Sequence, residues 1–173
     1  MEKDFTKSEN IVTHLGDEYT KFLGAVVPPI FQTSLFTRKE ASFGYVYSRV
    51  NNPTIEIAEK KIAQLEKGNK AYCFSSGMAA ITASLMNSLS AGDHVICVRS
   101  VYMPVRYFIE NTLSRYNITG DFVPGERLED FEAAIKPNTK LIYLESPSSN
   151  IFALQDIKAV SELAHSKGIW VAI

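Results

Sequence analysis

The rarer side chains are nearly missing from this sequence: two cysteines and one tryptophan among 173 residues. No Cys-x-x-Cys pair and no cysteine–histidine cluster occurs, which argues against zinc sites and disulfide scaffolds. Cys73 and Cys97 each lie in a short apolar run, so both are expected as buried, reduced thiols. His14, His94 and His165 show no ligand spacing and are assigned no chemistry. An excess of either charge is also missing. With 18 basic and 19 acidic residues the net charge is -1, without the basic footprint of a nucleic-acid or anionic-membrane binder. No apolar run approaches the roughly 20 residues of a membrane span. The charged start Met1-Glu2-Lys3-Asp4 has no secretory core, and the expected compartment is the cytoplasm. Neither a Gly-x-Gly-x-x-Gly fingerprint nor a P-loop occurs, so dinucleotide and nucleoside-triphosphate folds of those types are unsupported.

What is present reads as a globular chain, 46% hydrophobic and 21% charged. Its most informative stretch is Phe74-Ser75-Ser76-Gly77-Met78-Ala79-Ala80. An apolar strand candidate, 71–74, runs into a turn of small residues, and a helix then opens with Met78, Ile81, Leu85 and Leu89 on one face. The first N–H groups of a helix lack internal partners and carry the positive end of its dipole. Small residues let an anion approach them, which is how a phosphate seat is built. A plain N-capped turn explains the same residues about equally well.

Residues 1–50 read as an extended N-terminal arm packed on another surface, either contributing to a subunit interface or an ordinary segment packed within its own chain. The Pro28-Pro29 pair breaks regular structure, while Phe31, Leu35, Phe36, Phe43, Tyr45 and Tyr47 are too apolar for a free tail. From Asn51 onward strands and helices alternate. Helices are expected from Pro53 to near Gly68, over 77–89, 104–116, 127–135 and 156–167. Strands are expected over 94–98, 118–123, 140–145 and 169–173. This pattern predicts an α/β fold: a mainly parallel sheet with helices on both faces, filling residues 51–173. The last strand stops without a following helix, so the domain is expected to be incomplete at its C-terminus.

If that strand map holds, Ser76, Gly77, Met78, Tyr102, Glu145, Ser146 and Ser149 all follow strands at the edge where such sheets place their sites. Arg49, upstream, has a fork suited to phosphate oxygens, and a tyrosine ring suits a flat heteroaromatic ligand. Each residue taken singly has an ordinary structural explanation.

Together they resemble one family. Gly24-Ala25-Val26-Val27-Pro28-Pro29-Ile30-Phe31-Gln32-Thr33-Ser34, Tyr47-Ser48-Arg49 with Asn52-Pro53-Thr54, Ser75-Ser76-Gly77-Met78 and Glu145-Ser146-Pro147 occur in order. This set is similar to the Cys/Met-metabolism family of pyridoxal-phosphate enzymes, from about Thr13 to Ile173. The resemblance implies the aspartate-aminotransferase-like fold (PLP fold type I) and pyridoxal 5'-phosphate as cofactor. It implies a sulfur amino-acid substrate and a homo-oligomer, a dimer at minimum and usually a tetramer. The N–H groups of Gly77 and Met78, beside Ser76, would hold the cofactor phosphate. Tyr47 and Arg49 would reach the cofactor of a neighbouring subunit, with Tyr47 also near the substrate. Tyr102 would stack on the cofactor ring, and Glu145 and Ser149 would lie near its polar edge. Tyr102-Met103-Pro104 and Glu145-Ser146-Pro147-Ser148-Ser149 depart from the commoner family pattern toward the cystathionine β-lyase branch. The Schiff-base lysine and the aspartate that pairs with the ring have no counterpart in this chain. An N-terminal part of a carbon–sulfur lyase, inactive alone, is therefore expected. A γ-acting synthase or lyase and a non-catalytic module stay open as alternatives.

Overall fold

The computed structural model describes residues 4–18, 20–37 and 43–173. The chain forms two units, Met1–Cys73 and Phe74–Ile173. Positions 1–3, 19 and 38–42 of the expected arm lie outside the described residues.

The first unit holds two helices, α1 (Ser8–His14) and α2 (Pro53–Leu65). Helix α1 was not expected, since a seven-residue helix with one buried residue, Ile11, leaves little periodicity to read. Lys61 Nζ on α2 donates to Val12 O at 2.6 Å. Gly16, at φ 93°, follows α1, and a Cβ there would lie 2.9 Å from Ile57 Cγ2. A larger residue would thus be both strained and crowded. Asn52 caps α2, its side chain accepting from Thr54 N at 2.9 Å, and Pro53 sits where its missing N–H costs nothing. The same asparagine donates to Phe31 O at 3.0 Å, while Phe31 N donates to Thr54 Oγ1 at 2.9 Å. The Asn52-Pro53-Thr54 triplet therefore fastens the extended segment onto the start of α2. A short antiparallel contact adds to this, with Phe36 N donating to Val46 O and Ser48 N to Ser34 O. Ile55, Ile62 and Leu65, at helical spacing on α2, are exposed.

The second unit is a four-stranded parallel sheet of order β2-β1-β3-β4: β1 His94–Val98, β2 Thr119–Val123, β3 Thr139–Tyr143 and β4 Trp170–Ala172. Strand β1 is buried at every position, as a central strand covered on both faces should be. Helices α3 (Gly77–Ser88), α4 (Met103–Tyr107), α5 (Leu128–Ala134) and α6 (Ile157–Ser166) complete the layers. Helix α3 packs against α4, and α5 against α6, as the preference for right-handed crossovers dictates for this strand order. One apolar core joins Leu85 and Leu89, Val105, Ile109 and Leu113, Phe131, and Val160 and Ala164 to the strands.

Three expectations need correction. Residues 71–74 are extended but form no strand, because a strand exists only with a ladder partner and the described residues supply none. Cys73, in that segment, is exposed, whereas Cys97 in β1 is buried as expected. The 104–116 helix changes pitch: α4 passes into a π turn over Phe108–Thr112 and a 3-10 turn over Leu113–Tyr116, ended by Asn117 at φ 59°. Val105, Ile109 and Leu113 nonetheless stay buried along it.

Candidate functional site

The strand order fixes where a ligand crevice can form. From β1 the chain moves outward to β2, then returns past β1 to β3. The connections leaving β1 and β3 therefore diverge to opposite faces, and the gap between their carboxyl ends is the topological switch point where open α/β sheets bind ligands. Tyr102 follows β1 and Glu145 follows β3. The structure joins them directly, with the backbone N–H of Tyr102 donating to Glu145 Oε2 at 2.9 Å. No sequence signal announces this bond, since its ends are 43 positions apart.

Glu145 is held on both sides. Leu144 N donates to Ala172 O at 2.8 Å, and Ser146 Oγ accepts from Gln155 N at 3.1 Å. The Ser146–Pro147 peptide is cis. Ser148 is buried, exchanging bonds with Ala153 through its N–H and its hydroxyl, at 2.8 and 3.0 Å. Ser149 is half-buried on the same loop, and its carbonyl accepts from Ile151 N at 2.8 Å. The phenol of Tyr143 is pushed up to about 12 by burial and then by the charge of Glu145. The same two causes raise the Cys97 thiol above its ordinary range. Both groups stay protonated near neutral pH, so neither is a candidate general base.

Helix α3 leads into β1, so its C-terminus lies at the start of that strand and its N-terminus points to the same edge as Tyr102 and Glu145. Ser76 caps it, accepting from Ala79 N at 3.1 Å through the hydroxyl and from Ala80 N at 3.2 Å through the carbonyl. That leaves the N–H groups of Gly77 and Met78 without a partner among the described residues. A Cβ built on Gly77 meets nothing within 4 Å. Free amides, a twelve-residue dipole and open space at one point suit a phosphate.

Tyr47 and Arg49 belong to the first unit. The Arg49 guanidinium lies 4.8 Å from the Tyr47 ring centroid, and Arg49 is exposed. The pair presents a cation and a phenol side by side.

The family described as Cys/Met metabolism PLP-dependent enzyme matches residues 9–173. A probable cystathionine gamma-synthase of Herpetosiphon aurantiacus is 38% identical over 162 residues, covering 92% of this chain and 50% of that protein. A cystathionine beta-lyase of Lactococcus lactis subsp. cremoris is 39% identical over 163 residues, covering 92% of this chain and 42% of that protein. The crystal structure of metB from Corynebacterium glutamicum superposes with a TM-score of 0.90 at 30% identity, over 97% of this chain and 45% of that one. The chain thus spans half or less of the length of these relatives.

Proposed function

Because the chain belongs to the Cys/Met-metabolism family of pyridoxal-phosphate-dependent enzymes, we propose that the whole protein is a carbon–sulfur lyase of sulfur amino acids, cleaving cystathionine at Cβ. The observation that carries this reading is the open amide pair of Gly77 and Met78 at the head of α3, at the edge where the Tyr102–Glu145 bond spans the switch point. A cofactor phosphate would find room there, since a Cβ built on Gly77 meets nothing within 4 Å.

In this reading Gly77 and Met78 donate to the phosphate, and Ser76 keeps the first turn of α3 in place. The Tyr102 ring covers the flat face of the cofactor, with Glu145 and Ser149 beside it. Tyr47 and Arg49 serve the cofactor of a neighbouring copy, so the active unit is at least a dimer. Bound pyridoxal phosphate supplies an electron sink for the charge left at Cα when its proton departs. The Schiff-base lysine is placed outside residues 1–173, and the chain alone is expected to be inactive.

Support for Cβ cleavage comes from Tyr102-Met103-Pro104 and Glu145-Ser146-Pro147-Ser148-Ser149, together with the beta-lyase relative. The gamma-synthase relative favours chemistry at Cγ as the second reading. Product analysis of the complete protein with cystathionine separates them. Pyruvate with homocysteine is the expected outcome; 2-oxobutyrate with cysteine would move the assignment to Cγ, and no turnover of any sulfur amino acid would end it.

A further inference from the structure

We infer that Glu145 is a positioning residue, whose carboxylate holds the backbone N–H of Tyr102 and thereby sets the pose of the Tyr102 ring over the cofactor. The inference rests on the pyridoxal-phosphate reading above and adds to it a role for one bond, from Tyr102 N to Glu145 Oε2 at 2.9 Å.

Three features give that bond more than a loop-closing role. First, Tyr102 is the N-cap of α4, so its own N–H has no place in the helical pattern and must find a partner elsewhere. Glu145 is that partner, and a carboxylate makes one of the stronger hydrogen bonds available to a backbone N–H. Second, the opposite side of the residue is also fixed. The Tyr102 carbonyl accepts from Val105 N at 2.9 Å and from Arg106 N at 3.4 Å. The backbone is thus tied at both its N–H and its carbonyl, while the side chain remains 48% exposed. A large aromatic ring is left in the open on a rigid mount at the switch point, which suits a stacking platform. Third, the anchor is itself rigid, because Glu145 lies between the Leu144–Ala172 ladder bond and the Gln155 bond to the Ser146 hydroxyl. Ring pose is therefore referred back to β3 and β4 rather than to a free loop. A site held this way from behind is how aromatic platforms keep their angle.

The test uses the full-length protein with added pyridoxal phosphate, and it reads cofactor affinity by titration and visible circular dichroism per bound cofactor. Glu145→Ala should weaken affinity about tenfold, the scale of one charge-assisted hydrogen bond, and reduce the dichroic band. Glu145→Gln should restore the band, since its amide oxygen can accept the same N–H. Glu145→Asp should not, since the charge stays but the acceptor is withdrawn. If Glu145→Ala does not fold, the Gln and Asp variants decide alone. In a cycle with Tyr102→Ala, the double variant should be no weaker than Tyr102→Ala by itself. Additive losses, an unchanged band in Glu145→Asp, or failure of Gln to rescue would overturn the inference. Absence of cofactor binding by the unsubstituted protein would instead overturn the reading beneath it.

Discussion

Gly77 and Arg49 are the two residues whose replacement separates ligand binding from folding. A Cβ on Gly77 meets nothing within 4 Å and the backbone there is not left-handed, so Gly77→Ala should change stability by no more than about 0.5 kcal/mol. The same methyl group occupies the approach to the free amides, and cofactor affinity should fall. Parallel chemical unfolding and cofactor titration check this; unchanged affinity would mean that the phosphate sits elsewhere. Arg49 is exposed and its contact is with Tyr47, so Arg49→Ala should likewise fold normally. In the full-length protein it should lose cofactor on dialysis, because a fork that can hold two phosphate oxygens is gone. Full cofactor content after dialysis would remove Arg49 from the site. The capped turn at the head of α3 was legible at this scale because it depends on neighbours in sequence: Ser76 as cap, Gly77 as gap, then an apolar helix. Glu145 was legible only as a residue type. Its partner is a backbone N–H, which carries no side-chain signature.

Strands, by contrast, were readable where burial on both faces leaves continuous apolar runs. His94–Val98 lies where the sequence pattern predicts it, and the neighbouring strands shift by a residue or two at their ends. The segment 71–74 is also an apolar run but has no partner to pair with among the described residues, and apolar character does not encode pairing. For the same reason Cys73 and Cys97, alike in local sequence, differ in exposure. His94 shows how the strands are tied at their opposite edge. It is fully buried on β1, with Nδ1 2.9 Å from Thr139 Oγ1 on β3 and Nε2 3.3 Å from Asp121 Oδ2 on β2. Lys136 Nζ lies 2.6 Å from the same Asp121 oxygen. Burial, then the charge of Lys136, holds the imidazole below its ordinary value, with Asp121 pulling the other way. The unfolded chain therefore takes up this proton first. Stability from His94 is complete above the ordinary value of about 6.5 and declines as pH falls below it. Asp121, held low chiefly by its bond to Lys136, adds a decline only in more acidic solution, below about pH 4. Urea unfolding free energies for His94→Gln should thus fall less steeply than those of the unsubstituted protein between about pH 6.5 and 5. Equal slopes would show that this histidine is not neutral in the fold.

At the scale of the whole molecule, the second unit has Gly77, Tyr102 and Glu145 at one edge of the sheet and most of its amines at the other. It holds four lysines. Lys136, Lys140 and Lys167 line a single groove with Thr139 and Ile169, at the N-terminal ends of β3 and β4. Lys158, on α6, is 87% exposed and its Nζ lies 3.9 Å from Glu162. Three of the four thus lie at the edge opposite Tyr102 and Glu145, while Lys158 faces Glu162 on its own helix. Residues 1–173 treated with pyridoxal phosphate and borohydride should yield no single labelled lysine, only substoichiometric modification spread over exposed amines. The full-length protein under the same treatment should carry one label per chain, on a lysine beyond position 173. Stoichiometric labelling of one lysine within 1–173, read by peptide mass spectrometry, would place the reactive amine inside this chain and reverse the assignment of the sheet edges.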